Sequence, residues 1–189
     1  MKKRLGGPPG IASLLVILAL AVSGAARTAR DFLTPEEEER VKEAQVLDKR
    51  VEVYIKAAER RLLVLAGPTE ASAKQVEKDS EKWGELPTGT RTELIMDVAN
   101  ILDAAVVNID DVALRDEKNS LIPKALRKLA AAATRFQPQV VAMGQQTAVA
   151  SERRALEQVM SNIQEILEAA GRLPAEERQK EKGKSKKEG

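Results

Sequence analysis

Apolar residues recur at alternating steps of three and four over most of this chain, and that spacing predicts amphipathic helices. Val41, Ala44, Leu47, Val51, Tyr54, Ala58, Leu62 and Leu65 form a first stripe. Thr34-Pro35 opens it, Glu37 completes a capping box, and Gly67-Pro68 closes it, so one helix is expected over residues 35–66. The acidic run Glu36 to Glu39 lies at the positive end of that helix's dipole and reads as a charged, solvated first turn. Thr90 and Glu93 make a second capping box, ahead of the stripe Ile95, Val98, Leu102, Ala105, Ile109 and Val112. Asp97, Asp103, Asp110 and Asp111 fall off this stripe, and its helix is expected to run to about Glu117.

Asn119 or Ser120 starts the next helix, whose stripe is Ile122, Leu126, Leu129, Ala133, Phe136, Val140 and Met143. The stripe keeps its phase across Pro138, which predicts a kink there and not a break. The last helix is expected over residues 147–170, with Val149, Leu156, Val159, Ile163, Ile166 and Ala170 inward. Glu152 interrupts its first turn and predicts fraying there. Between the first two long helices, Thr69 can cap a short helix that places Ala73, Val76 and Trp83 on one face and ends at Gly84. Four stripes that cannot stay in water predict an all-α fold. It is a four-helix bundle of long antiparallel helices with an extra short helix, occupying residues 26–173. The alanines of the stripes imply close helix approach and little room for a ligand cavity.

The front of the chain breaks the pattern. Lys2, Lys3 and Arg4 precede an uncharged apolar run from Ile11 to Val22, and small residues Ser23 to Ala26 follow. That order is the tripartite layout of a secretory signal peptide, with cleavage after Ala25 leaving small residues where they are needed. A retained inner-membrane anchor over residues 11–26 is the alternative. Pro8 and Pro9 limit it to about 24 Å of helix, short of the roughly 30 Å a bilayer core requires, which favours cleavage of residues 1–25. An exported protein, periplasmic or extracellular, is therefore expected, with membrane association only if the segment stays.

Removing that segment alters the charge picture. The full chain has 31 basic and 29 acidic residues. Without Lys2, Lys3 and Arg4 it has 28 against 29, a net of −1, so its basic character is no argument for nucleic acid. The four aromatics, Phe32, Tyr54, Trp83 and Phe136, are far apart and offer no stacking platform for single strands. Residues 174–189 hold no apolar side chain but Ala175, and six cations against four acids; such a composition predicts a disordered, charged tail.

The inventory of reactive groups is short. Histidine and cysteine are absent, which removes the commonest general base, the thiolate nucleophile, Ser-His and Cys-His pairs, and the His and Cys ligands of zinc, haem and iron–sulfur sites. Gly183-Lys184-Ser185 resembles the end of a phosphate loop, but Arg178 stands where the first glycine belongs. Asn108-Ile109-Asp110-Asp111 lacks the glycine and closing glutamate of a calcium loop. No catalytic, cofactor-binding or metal-binding residue is assigned, no cofactor is implied, and no small-molecule ligand is evident.

Trp83 is the one candidate contact residue: a lid over the bundle's end, or an anchor for a partner, since Trp is enriched at binding hot spots. Val53, Leu63 and Val64 lie off the first stripe and serve either a second interface or a site covered by residues 68–90.

At "DFLTPEEEERVKEAQVLDKRVEVYIKAAERRL", "NIDD" and "PKALRKLAAA" the chain resembles a group of uncharacterised, exported, all-helical proteins of soil bacteria. The resemblance implies export and a bundle; it implies no activity. The expectation is a non-enzymatic envelope or scaffold protein that works by contact with an unknown protein partner or by self-association. A periplasmic holdase-type chaperone is the first alternative and a carboxylate-based enzyme the second.

Overall fold

The computed structural model describes residues 31–67 and 69–174. The signal segment expected over 1–25 and the disordered tail expected beyond Pro174 lie outside the described residues. Among the described residues every regular element is helical. Three of the expected caps form. The Thr34, Thr69 and Thr90 hydroxyls each accept from the backbone N–H three residues on, and each threonine donates its own backbone N–H to the side chain of Glu37, Ser72 or Glu93 in return. The helices are α1 (Pro35–Glu43), α2 (Leu47–Ala66), α3 (Glu70–Trp83), α4 (Arg91–Arg115), α5 (Leu121–Gln146) and α6 (Ala150–Gly171). Gly67 and Gly84 end α2 and α3 at φ 80° and 66°.

The single helix expected over 35–66 is two. The chain opens at Ala44 and Val46, with ψ 82° and 130°. Arg50 Nε donates to the Ala44 carbonyl across the break at 3.0 Å. The cause is long-range. In one straight helix Glu37 and Arg61 stand about 36 Å apart. With α1 folded back along α2, Arg61 Nη1 lies 2.6 Å from Glu37 Oε1. The apolar stripe is nearly the same for either path, so the stripe alone does not reveal the turn.

The four long helices form a ring in the order α2, α4, α6, α5, with α4 and α5 across its diagonal. Consecutive long helices are antiparallel, as expected, but two neighbouring pairs in the ring are parallel. Asp48 of α2 meets Lys124 and Lys128 while Glu59 meets Arg135, so α2 and α5 run together. Asn162 Nδ2 of α6 donates to the Ala99 carbonyl, and Arg91 pairs with Glu152, so α4 and α6 run together too. The diagonal step fits the link. Residues 116–120 span up to roughly 17 Å, and helices spaced 8–10 Å apart have a diagonal of about 13 Å.

The stripes meet inside. Val51, Tyr54, Ala58 and Leu62 of α2, the α4 set from Ile95 to Ile109, Leu129, Ala133, Phe136 and Val140 of α5, and Leu156, Val159, Ile163 and Ile166 of α6 are all buried. Each Leu or Ile contributes about 1.5–3 kcal/mol on burial. Between Leu62, Val98, Val140 and Val159 the packing leaves no space for water. α5 continues through Pro138, with Phe136 and Val140 buried on either side.

Two local expectations fail. Val149 is the N-cap of α6 and half exposed, because the helix begins at Ala150 and its first inward residue is Ala155. Glu152 does not fray the turn: its carboxylate accepts from Thr147 Oγ1 at 2.6 Å and from Arg91 Nε at 3.2 Å. As its stripe predicts, the stretch Asn108 to Asp111 is uninterrupted helix, with Ile109 in the core and Asn108 Nδ2 donating to Tyr54 Oη.

Candidate functional site

α3 crosses the outside of the bundle and none of its described side chains is buried. It is moored by polar contacts. Lys56 Nζ pairs with Asp79 at 2.7 Å, Arg40 Nε donates to the Lys82 carbonyl at 3.0 Å, and Arg60 Nη2 donates to the carbonyls of Gly84 and Glu85. Held off in this way, α3 leaves two grooves against α2. One, of about 230 Å³, is lined by Lys56, Arg60, Leu63, Val76, Asp79 and Leu86. The other, of about 300 Å³, is lined by Arg40, Ala44, Val53, Lys82 and Trp83. Trp83 is thus half-buried beside α1 and α2, with one side on a groove. Val53 and Leu63 face α3 and are half-buried, which selects coverage by the 69–83 segment for both.

Behind these grooves sits a buried ionic corner that the helix stripes did not reveal. Glu37 is fully buried, Arg61 1% exposed, and Arg60 and Asp97 5% exposed. This corrects the solvated reading of the acidic first turn at Glu37, and it places Asp97 on the flank of α4's buried face. Arg61 Nη1 contacts Glu37 Oε1 at 2.6 Å and donates to the Ala57 carbonyl at 3.0 Å; Nη2 donates to the Phe32 carbonyl at 2.7 Å. Arg61 Nε faces Asp97 Oδ2 at 3.9 Å, and Arg60 Nε lies 3.1 Å from Glu37 Oε1. Both Nε groups lack a well-aligned hydrogen bond. Two guanidiniums and two carboxylates balance, the arrangement that makes buried charge tolerable. Burial draws the Arg60 guanidinium below its ordinary value and Glu37 opposes the shift; a guanidinium stays protonated throughout.

Gly84 closes this corner. Its φ of 66° favours glycine, and a Cβ there would stand 2.8 Å from the Glu36 side chain. The sequence signals were present but faint. Arg60-Arg61 lies between Ala58 and Leu62 of the stripe, and Asp97 sits amid Leu94, Ile95, Val98 and Ala99. A face wider than one alternating seam would have enclosed both.

A second charged group joins α2 to α5. Asp48, 1% exposed, receives Lys124 at 2.8 Å and Lys128 at 2.6 Å, and Lys128 also reaches Glu52. Hydrogen bonds from the two lysines hold the Asp48 carboxyl down at about 2, and the Lys128 bond lowers Glu52. Asp48 and Glu52 in turn raise Lys128. Lys56 lowers Asp79 likewise. Each of these carboxyls is driven toward permanent ionisation, the opposite of the rise a general acid needs near neutral pH. Among the described residues no three His, Cys, Asp or Glu side chains are grouped to hold a metal ion.

The interior is packed, and a short helix stands off it over grooves with mixed apolar and charged walls. No family model, no curated protein and no solved structure matches this chain.

Proposed function

We propose that the protein is an exported, non-enzymatic helical bundle that works by contact with another protein in the cell envelope, with Trp83 in the contact. The observation that carries this is the open space beside Trp83 and the rest of α3. The core between Leu62 and Val159 is filled, while the grooves of about 230 and 300 Å³ lie outside it along α3. Trp83, Val53 and Leu63 give those grooves apolar walls, and Arg40, Lys56 and Lys82 give them a charged rim. An aromatic in a desolvatable groove with a polar border is the usual anatomy of a binding hot spot. Export rests on the basic, apolar and small-residue order of residues 2–26. No helix among the described residues is long and apolar enough to cross a membrane.

The test is a photoreactive phenylalanine analogue at Trp83 in intact cells. A discrete cross-linked adduct on a chain that has lost residues 1–25 supports the proposal. Recovery of only a free monomer, or of a chain with its leader intact in the cytosol, sinks it.

A holdase chaperone is the second proposal, favoured by one observation: no described side chain of α3 is buried, so the helix can be displaced, uncovering Val53 and Leu63. Suppression of aggregation of a denatured client at stoichiometric amounts, lost when α3 is cross-linked to α2, distinguishes it.

A further inference from the structure

α4 has a second stripe on the side away from the core. Met96, Asn100, Asp103, Val107, Asp110 and Leu114 follow steps of four and three, and all six are exposed. The stripe is about 27 Å long at the helical rise. Its apolar members are well out in solvent: Met96 is 38%, Val107 48% and Leu114 85% exposed. Single exposed apolar residues are ordinary. Three of them in register on one helix, alternating with carboxylates, are a pattern.

The carboxylates are unused. Asp103, Asp110 and Asp111 form no ion pair among the described residues. α5, diagonally across the bundle, behaves in the opposite way. It carries Lys124, Arg127, Lys128 and Arg135 and no acid, and three of these cations are paired to Asp48, Glu52 and Glu59 of α2. Charge on the α5 side is neutralised within the fold; charge on the outward α4 side is left over.

We propose that this outward face of α4 docks a cationic amphipathic helix of a partner protein. Written as a coiled-coil seam, Met96, Asp103 and Asp110 occupy one core position and Asn100, Val107 and Leu114 the other. A partner helix of about five turns fits if it brings apolar side chains to Met96, Val107 and Leu114 and Lys or Arg to Asp103 and Asp110. The charge decides among occupants. Nucleic acid and anionic lipid are repelled. A second copy of the same face buries four aspartates with no cation to meet them, which is unfavourable. A cationic helix satisfies the acids and covers the apolar residues together. The proposal rests on the contact reading above but uses a different surface from Trp83.

The experiment is fluorescence anisotropy of the full chain against a synthetic 21-residue helix carrying Leu at the seam positions and Lys opposite Asp103 and Asp110. A matched peptide with Glu replacing Lys is the control. The expected result is at least about tenfold preference for the Lys peptide at 0.15 M salt. Asp103→Lys with Asp110→Lys reverses that preference, and Leu114→Ser weakens Lys-peptide binding by about fivefold. Glu157→Lys, on α6, leaves it unchanged.

Equal binding of both peptides, or binding indifferent to the α4 changes, overturns the proposal. So does binding seen only after truncation at Pro174, which makes the cationic stretch 178–187 the occupant. A dimer that Leu114→Ser dissociates overturns it in favour of a second copy. If the peptide fails while the Trp83 adduct persists, the contact reading survives and this surface alone falls.

Discussion

The two charged groups on α2 invite comparison, since one helix uses similar chemistry in opposite ways. At the C-terminal half, Arg60 and Arg61 are buried with Glu37 and Asp97; at the N-terminal half, Asp48 is buried but its lysines reach solvent, with Lys124 56% and Lys128 28% exposed. The planar guanidinium of Arg61 spreads several donors over the Glu37 carboxylate and the carbonyls of Ala57 and Phe32, so it can be sealed from water. An ammonium is a compact charge that keeps part of its hydration, and Lys124 and Lys128 stay at the rim. The difference is one of task. The buried corner decides the path of the chain, because α1 must fold back for Glu37 to reach Arg61. The half-open group decides register, because it ties the starts of α2 and α5 together.

The largest effect is expected from Arg61→Ala. It leaves Glu37 and Asp97 buried without their shared cation, and a loss of about 3–5 kcal/mol is expected in urea unfolding. Replacing Glu37 and Arg61 together with Leu and Met recovers only part of that loss, because buried Arg60 then loses Glu37 and buried Asp97 loses Arg61. A single-variant loss below about 1 kcal/mol would mean that α1 is not docked on α2 at all. Next in size is Gly84→Ala. Its φ and the contact with Glu36 strain the roof of the same corner, and about 1–3 kcal/mol is expected, read as a lower thermal midpoint.

The α2–α5 group sharpens the contrast through pH. Asp48 is lowered from 3.8 to about 2. A carboxyl depressed by folding contributes stability that is complete above about pH 4 and is lost as pH falls through about 2. Allowing for the exposure of the lysines, about 1–2 kcal/mol is involved. Asp48→Asn is expected to remove that amount at neutral pH and to flatten stability between pH 4 and 2. A variant with the slope intact points to another carboxylate. The smallest effect belongs to Lys56→Ala, which frees Asp79 from α2 for less than about 1 kcal/mol. Its readout is Trp83 emission, expected to shift to the red while helical content and midpoint hold. An unmoved spectrum would show that Arg40 and Arg60 moor α3 without help.

Much of the fold was legible in the chain. Thr34, Thr69 and Thr90 open helices, Gly67 and Gly84 close them, and the stripes through Leu62, Leu102, Phe136 and Ile163 lead to the core. These are short-range signals: a cap reads three residues, a stripe reads four. The candidate site was legible only in Trp83 and in the off-stripe residues Val53 and Leu63. Glu37 and Asp97 looked solvated because their partner lies on another helix segment, and no local rule reaches that far. Glu152 looked disruptive for the same reason, its partner Arg91 being sixty-one residues away.

Helicity of the described chain, and the side of each long helix that turns inward, follow from local signals, because backbone hydrogen bonding and apolar periodicity act within a few residues. The break of the first helix at Ala44, the diagonal step that lays α5 parallel with α2, and the choice of which carboxylates are buried and which left over arise from packing between helices. Those choices depend on where opposite charges meet across the fold, and the free energy of such a meeting exists only after the helices have packed.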